Sequence, residues 1–186
     1  KLLKYLRKIH LEEWPEFFKS YKKNYKYSYN NKLIKKYKKI NNINVIGMGG
    51  SSLGAKAIYY FLKHRIKKNF KFLENLDLKK SNKKKSLNII ISKSGNTLET
   101  IVNFNSSFDK KNKNIFLTEN RSNYLNLLAK KLKSEVVEHK NFIGGRFSVL
   151  SEVGMLPAEL MGLNENKFKV YNNLIIKKSF INNVIH

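Results

Sequence analysis

Short, largely apolar runs, most of them closed by a polar or glycine-rich loop and followed by a stretch with helical spacing, restrict this chain more than any other feature. The runs are Ile43 to Ile46, Phe70 to Leu73, Leu87 to Ile91, Ile115 to Leu117 and Glu135 to Val137. Between them, Leu53, Ala57, Tyr60 and Phe61 mark one side of a helix. Leu98, Ile101, Val102 and Phe108 mark another, and Leu125, Leu128, Ala129 and Leu132 a third. Phe147 to Leu160 reads as mostly helical, with Pro157 expected to kink or end the helix. Strand alternating with helix predicts an α/β fold: a doubly wound, mainly parallel five-stranded sheet flanked by helices. Ligands of such sheets bind beyond the carboxyl ends of the strands.

The sheet domain is expected at 41–163. Residues 1–40 are aromatic and lysine-rich without a strand pattern. The helical spacing of Leu2, Leu3, Leu6 and Ile9, repeated at Leu33, Ile34 and Tyr37, predicts a helical amino-terminal arm packed on that domain. Ser81 to Lys85 reads as a polar surface loop, and 164–186 as a helical segment leading toward a further part of the protein.

A chain of 186 residues, 41% apolar and 12% aromatic, can bury one substantial core. Its longest apolar runs are far too short to span a bilayer, and the amino terminus carries no signal-peptide pattern, so no membrane partner is expected. Zero cysteines exclude disulfides and thiolate metal sites and fit a cytoplasmic setting. No metal or other cofactor is called for. The net charge of +25 raises the question of nucleic acid. However, only Arg7, Arg65, Arg121 and Arg146 among the 38 basic residues are arginines, and arginine is the better reader of base edges. The lysines are spread along the whole chain beside many Asn and Ile residues, as a compositional bias would place them. The expectation is solvated lysine faces with a general attraction for anionic substrates, and no nucleic-acid partner.

Three loops carry chemistry. Gly47-Met48-Gly49-Gly50-Ser51-Ser52-Leu53-Gly54 follows a strand and opens a helix, where free amides favour an anion. A dinucleotide fingerprint fails at Ser52, and a Walker A loop fails at Gly54-Ala55-Lys56-Ala57. A monosaccharide-phosphate loop, with Gly50 offering its backbone and Ser51 its hydroxyl, and a plain structural turn both remain open. Ser92-Lys93-Ser94-Gly95-Asn96-Thr97 packs three hydroxyls, an ammonium and a glycine before a helix that begins near Thr97. A phosphate dianion wants such donors; helix capping by Thr97 explains neither Lys93 nor the clustering. Gly144-Gly145-Arg146-Phe147-Ser148 places a scarce arginine on a glycine turn, where it can reach a developing oxyanion or merely face solvent.

In content, order and spacing these loops, with Phe72-Leu73-Glu74-Asn75-Leu76-Asp77 between the first two, closely resemble the glucose-6-phosphate isomerase family, built from sugar isomerase (SIS) domains. The resemblance covers roughly residues 41–163, and Ser-Gly-Asn-Thr at Ser94 to Thr97 looks like the bacterial branch. It implies interconversion of glucose 6-phosphate and fructose 6-phosphate through a cis-enediolate in glycolysis and gluconeogenesis, by a homodimer. By similarity, Gly50 and Ser51 contact the sugar phosphate, and Ser92, Lys93, Ser94 and Thr97 hold its phosphate. Arg146, with the Gly145 backbone, faces the reacting carbons. The family's proton-shuttling Glu, ring-opening His and late Lys belong to a later part of its chain. None of His10, His64, His139 or Glu152 sits in a matching motif. This stretch is therefore expected to be an excerpt that holds substrate without turning it over. The alternative is a noncatalytic sugar-phosphate-binding module.

Overall fold

The computed structural model describes residues 16–76 and 85–173. Strands β1 (Asn42–Ile46), β2 (Asn69–Leu73), β3 (Leu87–Ile91), β4 (Lys113–Thr118) and β5 (Glu135–Glu138) form one sheet in the order β2-β1-β3-β4-β5. Every neighbouring pair is parallel. Helix α1 (Asn31–Tyr37) precedes the sheet. Helix α2 (Gly50–Phe61) follows β1, α3 (Leu98–Ser107) follows β3, α4 (Tyr124–Lys131) follows β4, and α5 (Glu152–Leu160) comes after β5.

Both faces are covered, so the central strand β3 is buried at every position. One face joins Ile43, Val45, Ile89 and Leu117 to Tyr37 of α1, Ile58 and Tyr59 of α2, and the apolar side of α5. The other joins Ile46, Ile90 and Phe116 to Phe104 of α3 and to Leu125 and Ala129 of α4. On that second face runs a polar rung. Asn44 donates to Asn88 at 2.8 Å and Asn88 donates to Asn114 at 3.0 Å, across three strands in matching register. A slip of one residue would turn each amide to the opposite face and leave it unpaired.

Two helices present faces other than the apolar spacing suggests. Helix α2 buries Ser52, Ala55, Ile58 and Tyr59, while Leu53, Tyr60 and Phe61 stay 55%, 64% and 82% exposed. Small residues let it approach closely: a Cβ at Gly54 would lie 2.9 Å from the Val149 side chain. Helix α3 buries Thr100, Asn103, Phe104 and Ser107, and leaves Leu98 and Phe108 exposed. The stripe of α4 lies inward at Leu125 and Ala129, with Leu128 and Leu132 partly buried against the core. The stretch after Gly145 is a single 3₁₀ turn at Gly145–Phe147; the α-helix starts only at Glu152 and continues three residues past Pro157. Pro157 therefore removes one backbone donor without ending the helix.

The amino-terminal segment is helical at Glu16–Tyr21, a 3₁₀ turn, and again in α1. Between them a tyrosine run docks on α5. Tyr25 donates to both oxygens of fully buried Glu152 at 2.9 Å, and the Ser28 amide adds a third bond at 3.0 Å. A 3₁₀ helix covers Glu165–Asn173. The expected helical spacing at Leu2 to Ile9, most of the loop at Ser81 to Lys85, and residues 174–186 lie outside the described residues. Among the described residues no helix is long and apolar enough to cross a membrane.

Candidate functional site

Strands β1 and β3 are neighbours, yet α2 leaves β1 for one face and α3 leaves β3 for the other. A crevice opens between the two loops at the carboxyl ends of these strands, at the point where the strand order reverses. The chain turns into α2 at Gly49, whose φ of +56° is a left-handed conformation. Next to it Gly50 meets the third loop: a Cβ there would lie 2.4 Å from the Gly145 carbonyl oxygen. Ser148, 1% exposed, clasps this contact, its hydroxyl 3.1 Å from Gly50 O and 2.7 Å from Gly145 O. Sequence reasoning assigned Ser148 no role; its position in the glycine-arginine loop was the available signal.

The second loop gathers its hydroxyls. Ser92 and Thr97 are hydrogen-bonded at 2.8 Å, and Ser94 Oγ lies 3.5 Å from Ser92 Oγ. Thr97 is the residue before α3, but its side chain makes no capping bond to the helix. The helix thus keeps first-turn amides without a capping side chain, beside three clustered hydroxyls. Asn123 and Tyr124, at the start of α4, hold the loop from outside. Gly95, at φ +71°, leaves no room for a Cβ, which would fall 2.2 Å from Asn123 Oδ1. Asn96 accepts from the Tyr124 amide at 2.9 Å. Asn123 caps α4, accepting from the Asn126 amide at 2.9 Å, but its place against Gly95 is a tertiary contact that the sequence does not show.

Ser51 lies in the first turn of α2, half-buried. Arg146 lies on the 3₁₀ turn, exposed and without a hydrogen-bond or ion-pair partner among the described residues. Lys93 departs from the expected grouping. Its ammonium donates to Asn141 O at 2.6 Å and lies 3.7 Å from Glu119, which also pairs with Arg121 Nε at 2.7 Å. Nearby His139 is buried, its Nδ1 3.1 Å from Lys140 O. Burial, with the Lys93 charge, pushes its imidazole pKa below the ordinary value, although the Lys140 carbonyl opposes this. Two carboxylates are already engaged. Glu152 is enclosed by Tyr25 and Ser28. Glu74 accepts from Ser52 Oγ at 2.6 Å and pairs with Lys56. Burial opposes ionisation of Glu74, but those two partners together hold its carboxyl below the usual value. Among the described residues no group of His, Asp and Glu could hold a metal ion.

Comparison with known proteins bears on the family and the fold. The family described as Phosphoglucose isomerase matches residues 28–183. The glucose-6-phosphate isomerase of Methanocaldococcus jannaschii is 36% identical over 180 residues, covering 82% of this chain and 44% of that protein. Among solved structures, a hypothetical protein of Thermus thermophilus superposes with a TM-score of 0.68 at 21% identity, over 93% of this chain and 44% of that one. The tagatose-6-phosphate ketose/aldose isomerase of Escherichia coli gives 0.61 at 16%, over 78% and 45%. The chain spans less than half the length of the curated relatives it matches.

Proposed function

This chain belongs to the phosphoglucose isomerase family, and we propose that it forms the sugar-phosphate-holding part of a cytoplasmic, homodimeric glucose-6-phosphate isomerase. The observation that carries the reading is the Thr97 hydroxyl, which faces Ser92 at 2.8 Å instead of capping α3. Ser92, Ser94 and Thr97 then offer oxygen-bound protons to a phosphate ester, and the first-turn amides of α3 offer theirs. Gly50, with Ser51, brings backbone and hydroxyl to the other wall of the crevice.

Held by its phosphate, the sugar presents C1 and C2 in fixed orientation, which converts remote binding energy into positioning. A general base takes the C2 proton, the C1–C2 double bond forms, and the C1 carbonyl oxygen becomes an enediolate oxygen. Return of that proton to C1 and transfer of the O2 proton to O1 complete the ketose. Arg146, with no partner among the described residues, stabilises the enediolate. The family resemblance puts the base in a later part of the chain, and Glu74 and Glu152 are tied into the fold, so on this reading the 186-residue chain by itself binds without turnover.

A coupled isomerase assay on the complete gene product tests this. Arg146→Ala is expected to lower kcat by about 10² to 10³, the effect of one preorganised donor. Unchanged turnover would remove Arg146 from the mechanism. Binding of fructose 6-phosphate without any turnover by the complete gene product would make it a binding module instead.

A further inference from the structure

Lys93 stands between the two serines of the nest in sequence, yet its ammonium leaves the nest for the Asn141 carbonyl beyond β5. The residue that accompanies it there is Glu119, the first after β4. Its backbone is fixed: the Glu119 amide donates to Lys93 O at 3.1 Å, and Asn126 donates to Glu119 O at 2.9 Å. Its carboxylate spans two cations, with one oxygen 3.7 Å from Lys93 Nζ and the other 2.7 Å from Arg121 Nε. The Glu119 side chain is only 12% exposed, against 35% for Lys93 and 60% for Arg121. A poorly hydrated negative charge on the rim of a site for a dianion repels the ligand directly. Its placement makes sense through what it does to its two neighbours.

We propose that Glu119 is a positioning residue that sets the strength of the anion site. It holds Lys93 in its lateral position and cancels part of the field that Lys93 and Arg121 direct toward a bound phosphate ester. This rests on the reading of Ser92 to Thr97 as a phosphate nest. A stronger anchor would bind aldose and ketose phosphates alike, and uniform binding adds nothing to kcat once the site is filled. Partial neutralisation therefore leaves the chemistry alone and lets product depart.

Titration calorimetry of fructose 6-phosphate into the complete gene product and its variants tests the proposal. Glu119→Gln keeps the side-chain shape and removes the charge, so the affinity should rise about threefold to tenfold at low salt and fall back toward wild type as salt is added. In a Lys93→Met background the part of that gain made through Lys93 should vanish while the relief of direct repulsion persists, and a full gain there overturns the coupling of Glu119 to Lys93. Arg121→Met, at an exposed position, leaves Glu119 to neutralise Lys93 alone and should weaken binding about twofold to threefold. It decides the matter if Glu119→Gln does not fold. Wild-type binding with equal or weaker binding by Glu119→Gln, or equal or tighter binding by Arg121→Met, overturns the role of Glu119 and leaves the phosphate nest standing. No binding by the wild type overturns the proposed function and this inference with it.

Discussion

Thr97 occupies the position where a threonine ordinarily accepts a bond from the first turn of a helix, a contact worth about 1 kcal/mol. Here its hydroxyl meets Ser92 instead. Replacement by valine keeps the branched shape and removes only the oxygen. With no cap to lose, the melting temperature of Thr97→Val should move by less than about 1 °C, where a lost cap in a chain of this size shifts it by roughly 2–4 °C. Affinity for fructose 6-phosphate should fall about tenfold, the loss of one charge-assisted hydrogen bond. Calorimetric melting and titration measured together separate the outcomes: a large melting shift with intact affinity returns Thr97 to a structural role. The hydroxyl cluster was legible in the sequence because its members lie within six residues of one another. The direction taken by Lys93 was not, since it is decided by Glu119 and Asn141 on two other strand ends.

Most strands were legible because each is a short, largely apolar run between turn signals, and α4 because Leu125, Leu128 and Ala129 share the inward side, although Leu127 is exposed. Helices α2 and α3 bury small and polar residues at their contacts, which inverted the reading of α2 and missed the polar face of α3. The tyrosine run before α1 has no helical period that would betray it, and its order comes from Glu152, more than a hundred residues away. Glu152 itself looks like an ordinary first-turn acid until Tyr25 and Ser28 enclose it. The asparagine rung is a property of the sheet and of no single strand. Asn88→Leu, at a fully buried position, should cost about 2 kcal/mol by leaving the Asn44 donor and the Asn114 acceptor unpaired. Replacing Asn44 and Asn114 as well should recover part of that loss, because no orphaned group then remains. Urea denaturation of the single and triple variants measures both, and a single-variant cost below about 0.5 kcal/mol would show the rung to be incidental.

Across the whole molecule the tyrosine run, α5 and the carboxyl-terminal 3₁₀ helix share one buried charge system. Lys169 is 2% exposed, its ammonium 5.1 and 4.6 Å from the ring centroids of Tyr25 and Tyr27. Burial pushes its pKa down to about 8 from an ordinary 10.5, although Glu165 and Glu152 oppose the shift. Between those values the unfolded chain binds the extra proton, so this group makes stability rise with pH. Burial, aided by nearby carboxylates, raises the hydroxyls of Tyr25, Tyr27 and Tyr29 above their ordinary 10.0. Above that pH the unfolded chain ionises first, and stability falls. Urea midpoints should therefore climb from about pH 8 to about 10 and then decline. Lys169→Met should remove most of the climb, since burial lowers the Lys68 pKa as well and leaves a smaller rise, and should keep the decline; a full climb retained in that variant would assign it to another group. The clasp of Ser148 on Gly50 joins residues 98 apart in the chain, and this bears on how the protein is made. On the ribosome the hydroxyl nest is synthesised before Gly145 and Ser148. A nascent chain thus carries one wall of the crevice without the turn that closes against Gly50. On the proposed reading, sugar phosphate is held fully only by a chain that has already brought both together, so its capture follows the folding of these two loops.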